Sequence, residues 1–195
     1  MLICADGGLR AAKRLGLRPD VVIGDFDSAP RALRAWAVRR GARIITHPVE
    51  KDETDTELAL DFAASQGIRT VELFGALGGR LDHELANVAL LLRARAAGIR
   101  MQIRDGETTA FLADRRTMLP ASSGDVVSLL PLSRRVAGVT TVGLHFPLNR
   151  ATLLRGSSLG VSNVVTGRRP TVLLRAGDLL IVVTRRGGTR PRRSS

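Results

Sequence analysis

Cysteine is nearly missing from this sequence: among 195 residues there is one, Cys4. A single thiol excludes an internal disulfide framework and a zinc site built from several thiolates. Aromatic side chains make up only 3% and tyrosine is absent, which leaves few platforms for stacking nucleic-acid bases. No apolar run approaches the roughly 20 residues that span a bilayer, and Met1-Leu2-Ile3-Cys4-Ala5-Asp6 meets charge too early for a signal peptide. Lysine is confined to Lys13 and Lys51, and neither follows the glycine spacing of a P-loop. The His-Arg-Asp and Asp-Phe-Gly signatures of protein kinases are absent too. What is present, 44% apolar residues, suits one compact unit or two small packed ones and disfavours long disorder. These features lead us to expect a soluble, cytoplasmic protein with no membrane segment.

The net charge is +12, and its distribution matters more than its size. Residues 1–87 hold 12 of the 30 basic and 13 of the 18 acidic side chains, a net of −1, which leaves +13 on the remainder. Much of that excess is scattered, as at Arg115-Arg116 and Arg134-Arg135, so the charge argues only weakly for a nucleic-acid partner. The stretch from Arg185, with Gly187-Gly188 and Pro191, reads as a solvated end, residues 187–195 being a basic disordered tail.

The first half alternates strand-like runs with helical ones. Residues 20–23, 42–45, 70–74 and 99–103 are rich in β-branched side chains and bounded by Gly or Pro. Between them Ser28 caps a helix over 31–40, with Pro30 in its first turn and Gly41 as its stop. The Thr54-x-x-Glu57 spacing predicts a helix over 55–66 ending at Gly67. A third helix is expected over 82–97, with Leu85, Val88, Ala89 and Leu92 on its apolar face. Strict alternation of this kind implies a parallel sheet with crossover helices. Beyond about residue 105 the helical period vanishes and Gly or Pro recurs between short strands at 110–113, 126–132, 139–144, 151–154, 160–165, 171–174 and 179–184. That spacing indicates an all-β sandwich or barrel. The expected organisation is therefore an α/β parallel-sheet domain over 1–104 followed by an antiparallel β domain over 105–186.

In an open parallel sheet, ligands bind at the carboxyl ends of the strands, and the acids gather there. One strand runs into Gly24-Asp25-Phe26-Asp27-Ser28, the next leads through His47-Pro48 into Lys51-Asp52-Glu53-Thr54-Asp55, and the third opens into Gly75-Ala76-Leu77-Gly78-Gly79-Arg80-Leu81-Asp82-His83. Crowded carboxylates repel, and a hard divalent cation such as Mg2+, which takes oxygen ligands and bridges to phosphates, relieves them. The glycine-rich turn can offer backbone N–H groups to an anion, with Arg80 adding charge. Read separately, Asp-x-Asp is a turn, Thr54 and Glu57 a capping box, and Gly-Gly-Arg a tight turn; together they read as a magnesium–nucleotide site. His47 and His145 are read as structural, and His83, beside Asp82 at a helix start, is the exception.

Ala5-Asp6-Gly7-Gly8, Gly24 to Ser28, Lys51 to Glu57, Gly78 to His83, Phe146-Pro147-Leu148 and Gly156 to Asn163 together resemble, in order and spacing, the motifs of the thiamine pyrophosphokinase family. The resemblance implies a nucleotide-binding α/β domain and a thiamine-binding β-sandwich in a homodimer with active sites between subunits. It implies transfer of the β,γ-pyrophosphoryl group of ATP to the hydroxyl of thiamine, giving AMP. On that resemblance Asp25, Asp27 and Asp55 hold Mg2+ and the phosphate chain, with Asp52 nearby. Asp82 completes the acidic set, Arg80 binds phosphate, His83 and Thr54 position the reacting groups, and Asp55 or Asp82 accepts the alcohol proton. Asp6, Gly7, Gly8, Asp27, Ser28, Gly78 and Gly79 lie against the nucleotide, while Ser157, Ser158, Ser162 and Asn163 line the acceptor pocket. Family members begin with a further strand before the segment matching residues 2–6, so the first strand here is expected at a bare sheet edge. The alternatives are a pyrophosphokinase for another alcohol, such as a hydroxymethylpterin, and a catalytically impaired thiamine-binding homologue.

Overall fold

The computed structural model describes residues 1–26 and 30–186. They form two compact units, the first ending at Arg69 and the second beginning at Thr70.

In the first unit β1 (Ile3–Ala5), β2 (Val21–Gly24) and β3 (Arg43–Thr46) make a parallel sheet in that order, with Ala5 beside Ile23 and Ile23 beside Ile45. All four residues of β2 are buried, as expected of a central parallel strand covered on both faces. Side chains alternate across a strand. Cys4 and Val22 therefore share a face and pack with Leu9 and Ala12 of α1 (Gly8–Arg14) and with Leu33 and Ala37 of α2 (Arg31–Arg39). Burial there pushes the Cys4 thiol pKa up to about 11. The helix α3 (Asp55–Ser65) packs on β1 and β2 through Leu60 and Ala63. Ser28, the expected cap of α2, lies outside the described residues, and α1, for which the sequence carries no expectation, begins at a glycine pair with no helix signal of its own.

The second unit holds a six-stranded mixed sheet in the order β11 (Asn163–Val164), β8 (Val126–Pro131), β13 (Leu179–Thr184), β6 (Thr108–Leu112), β5 (Arg100–Asp105), β4 (Thr70–Phe74). A four-stranded antiparallel sheet runs β10 (Ala151–Leu154), β9 (Arg135–Val142), β12 (Thr171–Leu173), β7 (Arg116–Met118). Val127, Leu129 and Ile181 from the first sheet and Val136, Val139, Leu153 and Val172 from the second share one core, which makes this a sandwich. The helix α4 (Leu81–Ala96) lies on β5 and β6 and reaches out through Arg95, which donates to Asp178 Oδ1 at 2.9 Å and to the Ala113 carbonyl.

The parallel strands of the first half do not form one sheet. β1, β2 and β3 pair together, whereas β4 pairs with β5, and β5 continues antiparallel into β6 through Gly106. The sheet thus runs unbroken across residue 105, where the sequence pattern changes. The apolar face of α4 also differs from expectation: Leu90, Leu91 and Ala94 are buried, while Leu85 is 61% exposed. Among the described residues no helix is long and apolar enough to cross a membrane.

Candidate active site

Asp6 follows β1, Asp25 follows β2, and Asp55 opens α3. Because β1 and β2 are neighbours in parallel register, their C-terminal ends emerge side by side, and the Asp6 N–H donates to the Ile23 carbonyl at 2.8 Å. The third acid arrives from above. Thr54 is the N-cap of α3 and its hydroxyl accepts the Glu57 N–H at 3.2 Å, satisfying one of the unpaired donors at a helix start. Packing of α3 on β1 and β2 then brings Asp55 over the strand ends.

One carboxylate oxygen from each of Asp6, Asp25 and Asp55 lies within 4.8 Å of the other two. At such a separation each pair of like charges repels by about 3 kcal/mol for an effective dielectric of ~20. Lys51 offsets part of this. Its ammonium donates to Asp25 Oδ2 at 2.7 Å, lies 3.1 Å from Asp55 Oδ1, and reaches the Pro48 carbonyl at 3.3 Å. Burial raises the Asp55 carboxyl pKa, opposed by the Lys51 ammonium. The Lys51 pKa is itself raised, chiefly by its hydrogen bond to Asp25.

This trio differs from the expected metal set. Asp25 and Asp55 belong to it, Asp52 is exposed and outside it because it precedes the cap of α3, and Asp27 lies outside the described residues. Asp6, expected against the nucleotide, is in addition a third carboxylate of the cluster, and Lys51 carries no expected role. The signal for Asp6 was its place directly after a strand, but strand order was needed to bring it beside Asp25. Gly7 and Gly8, at the N-terminus of α1, face open space.

In the second unit Arg80, the N-cap of α4, grips Asp82 through two hydrogen bonds of 3.1 and 2.6 Å. That guanidinium holds the Asp82 carboxyl below its usual range. The pair is largely exposed, so it is readily surrendered to a stronger partner. Gly78 takes a positive φ of 83°, and the Gly79 N–H donates to Glu84 Oε1 at 2.8 Å. His83 is exposed beside Asp82.

The expected acceptor residues also lie in the second unit. Ser158 is exposed, the Ser157 hydroxyl accepts the Leu159 N–H at 3.2 Å, and Ser162 has a φ of 59° with its N–H on Ser128 Oγ. Asn163 is 3% exposed. Its Oδ1 accepts the Phe146 N–H at 2.9 Å and its Nδ2 donates to the Phe146 carbonyl at 2.6 Å, so the side chain is engaged within the fold. The result is that Phe146, 64% exposed, is clamped beside the 157–163 segment with its exposed Leu159 and Val161.

Residues 1–103 match the family described as Thiamin pyrophosphokinase, catalytic domain, and residues 116–178 match Thiamin pyrophosphokinase, vitamin B1 binding domain. The chain belongs to the thiamin pyrophosphokinase family. It is 29% identical over 188 residues to thiamine pyrophosphokinase of Bacillus subtilis, covering 92% of this chain and 85% of that protein. The crystal structure of the Bacillus subtilis thiamine pyrophosphokinase superposes with a TM-score of 0.84 at 27% identity, over 93% of this chain and 86% of that one. The thiamin pyrophosphokinase of Geobacillus thermodenitrificans gives 0.80 at 32% identity, over 94% and 85%. Membership makes this chain an ATP-dependent pyrophosphotransferase of thiamine diphosphate synthesis.

Proposed function

We propose that the chain transfers the β,γ-pyrophosphoryl group of ATP to thiamine at a magnesium site built on Asp6, Asp25 and Asp55. The observation that carries this is the convergence of the three carboxylates on one point. The donor set fits the ion: all three ligands are hard oxygens, and their 4.8 Å limit encloses the ~3.0 Å between adjacent and ~4.2 Å between opposite ligands of octahedral Mg2+ at about 2.1 Å. Asp27 joins them on the family resemblance, with Asp52 nearby. The ion, when bound, neutralises and aligns phosphate oxygens.

The thiamine hydroxyl oxygen bonds to the β-phosphorus, the bond from that phosphorus to the bridging oxygen breaks, and AMP leaves with that oxygen. The hydroxyl proton goes to a carboxylate. On the family resemblance that carboxylate is Asp55 or Asp82. Thr54 holds Asp55 in place through the helix cap. Asp6, Gly7, Gly8 and Ser28 contact the nucleotide, Gly78, Gly79 and Arg80 its phosphates, and His83 orients a reacting group. Ser157, Ser158 and Ser162 line the acceptor site and Asn163 positions Phe146 beside it. Residues 1–104 thus supply the catalytic, ATP-binding part and 105–186 the thiamine-binding part of a cytoplasmic homodimer with its active sites at the subunit interface.

Asp25→Asn is expected to abolish Mg2+-dependent release of AMP and thiamine diphosphate in equal amounts, with an unchanged circular dichroism spectrum. Near-normal product formation by that variant would remove Asp25 from the metal site.

A further inference from the structure

The ammonium of Lys51 sits against two of the three carboxylates that a bound metal ion would share. Its two carboxylate partners, at 2.7 and 3.1 Å, are Asp25 and Asp55, two of the three acids that converge. The side chains of Lys51, Asp25 and Asp55 are only 12%, 13% and 23% exposed, so water screens their attraction, and the repulsion between a lysine cation and an incoming ion, less than at an open surface. A divalent cation and an ammonium repel one another strongly when both are held against the same carboxylates. Lysine suits a removable role, being a point charge on a flexible four-carbon stem.

We propose that Lys51 is an internal counter-ion, which holds Asp25 and Asp55 together in the metal-free chain and is displaced from them when a divalent cation binds. This rests on the magnesium reading above. Metal affinity is then set partly by the strength of the lysine contacts, and the cluster stays assembled before the ion arrives.

Lysine occurs at only two positions, 13 and 51, so the full chain labelled with 15N at the lysine Nζ gives two side-chain signals. Titration with Mg2+ is expected to move the Lys51 signal toward that of a solvated ammonium and to leave Lys13 unchanged. In parallel, binding of Mn2+ without nucleotide is measured by electron paramagnetic resonance on the unaltered chain, Lys51→Met and Lys51→Gln, each checked for folding by circular dichroism. The neutral variants are expected to bind Mn2+ at least threefold more tightly and to melt at lower temperature in chelator. A Lys51 signal that stays put at saturating Mg2+, or neutral variants with equal or weaker Mn2+ affinity, would overturn the displacement while leaving the metal site standing. Failure of the unaltered chain to bind Mn2+ at all would overturn both readings. If neither neutral variant folds, the lysine spectrum of the unaltered chain decides.

Discussion

A methyl group at position 24 would lie 2.9 Å from the Cβ of Asp6, closer than carbon atoms pack. Glycine is therefore required at the end of β2 for the sake of the carboxylate on the adjacent strand. Gly24→Ala is expected to cost about 1–3 kcal/mol through overpacking and to shrink the rise in melting temperature that Mg2+ produces, because Asp6 must move. A variant whose Mg2+ response equals that of the parent would show that Asp6 does not hold the ion. Legibility at this scale followed local position. Asp25 and Asp55 stand where the sequence pattern ends a strand or begins a helix, so both were readable as site residues. The part played by Asp6 was not readable, because it depends on which strand lies beside which. Nor was that of Lys51, whose stem reaches two acids 26 residues back and four residues on.

The elements carry these residues to their places. Thr54 both caps α3 and precedes Asp55, so the cap stabilises the turn that carries one acid of the cluster. Thr54→Ala is expected to destabilise the chain by about 1 kcal/mol and to lower turnover by more than that loss would unfold, with Thr54→Ser restoring both; chemical denaturation and AMP release check the two effects. Turnover unchanged in the alanine variant would confine Thr54 to a structural role. Just after β2 comes Phe26, a non-glycine residue at φ 59°, a conformation that costs on the order of 1–3 kcal/mol. The Arg34 guanidinium, 5.0 Å from the Phe26 ring centre, helps hold it there. Strands and helices with strong punctuation were legible: 151–154 and 179–184 match β10 and β13, and 55–66 matches α3 to within a residue. The three residues of β7 escaped because so short a run carries no period. The face of α4 was misread because apolar residues surround much of the helix, and only packing on β5 and β6 selects Leu90, Leu91 and Ala94.

For the whole molecule, the charge of +12 gives a nucleic-acid interaction its only support, and that support is electrostatic and diffuse. Oligonucleotide binding is expected to fall steeply with salt and to be weak at physiological ionic strength, as fluorescence anisotropy over a salt series would register; a tight, salt-insensitive complex would contradict it. The amino-acid order by itself determined the alternation of strand and helix up to residue 105, the antiparallel character beyond it, and the motifs that place the chain in its family. These are local or short-range properties, set by side-chain period and turn chemistry. Tertiary structure alone decided that β4 and β5 join the β-rich sheet rather than the sheet of β1 to β3. It alone decided, too, that Asp6, Asp25, Asp55 and Lys51 meet. Strand pairing and helix docking are contacts between residues far apart in the chain, selected by the burial of whole faces, and no local pattern encodes which faces will meet.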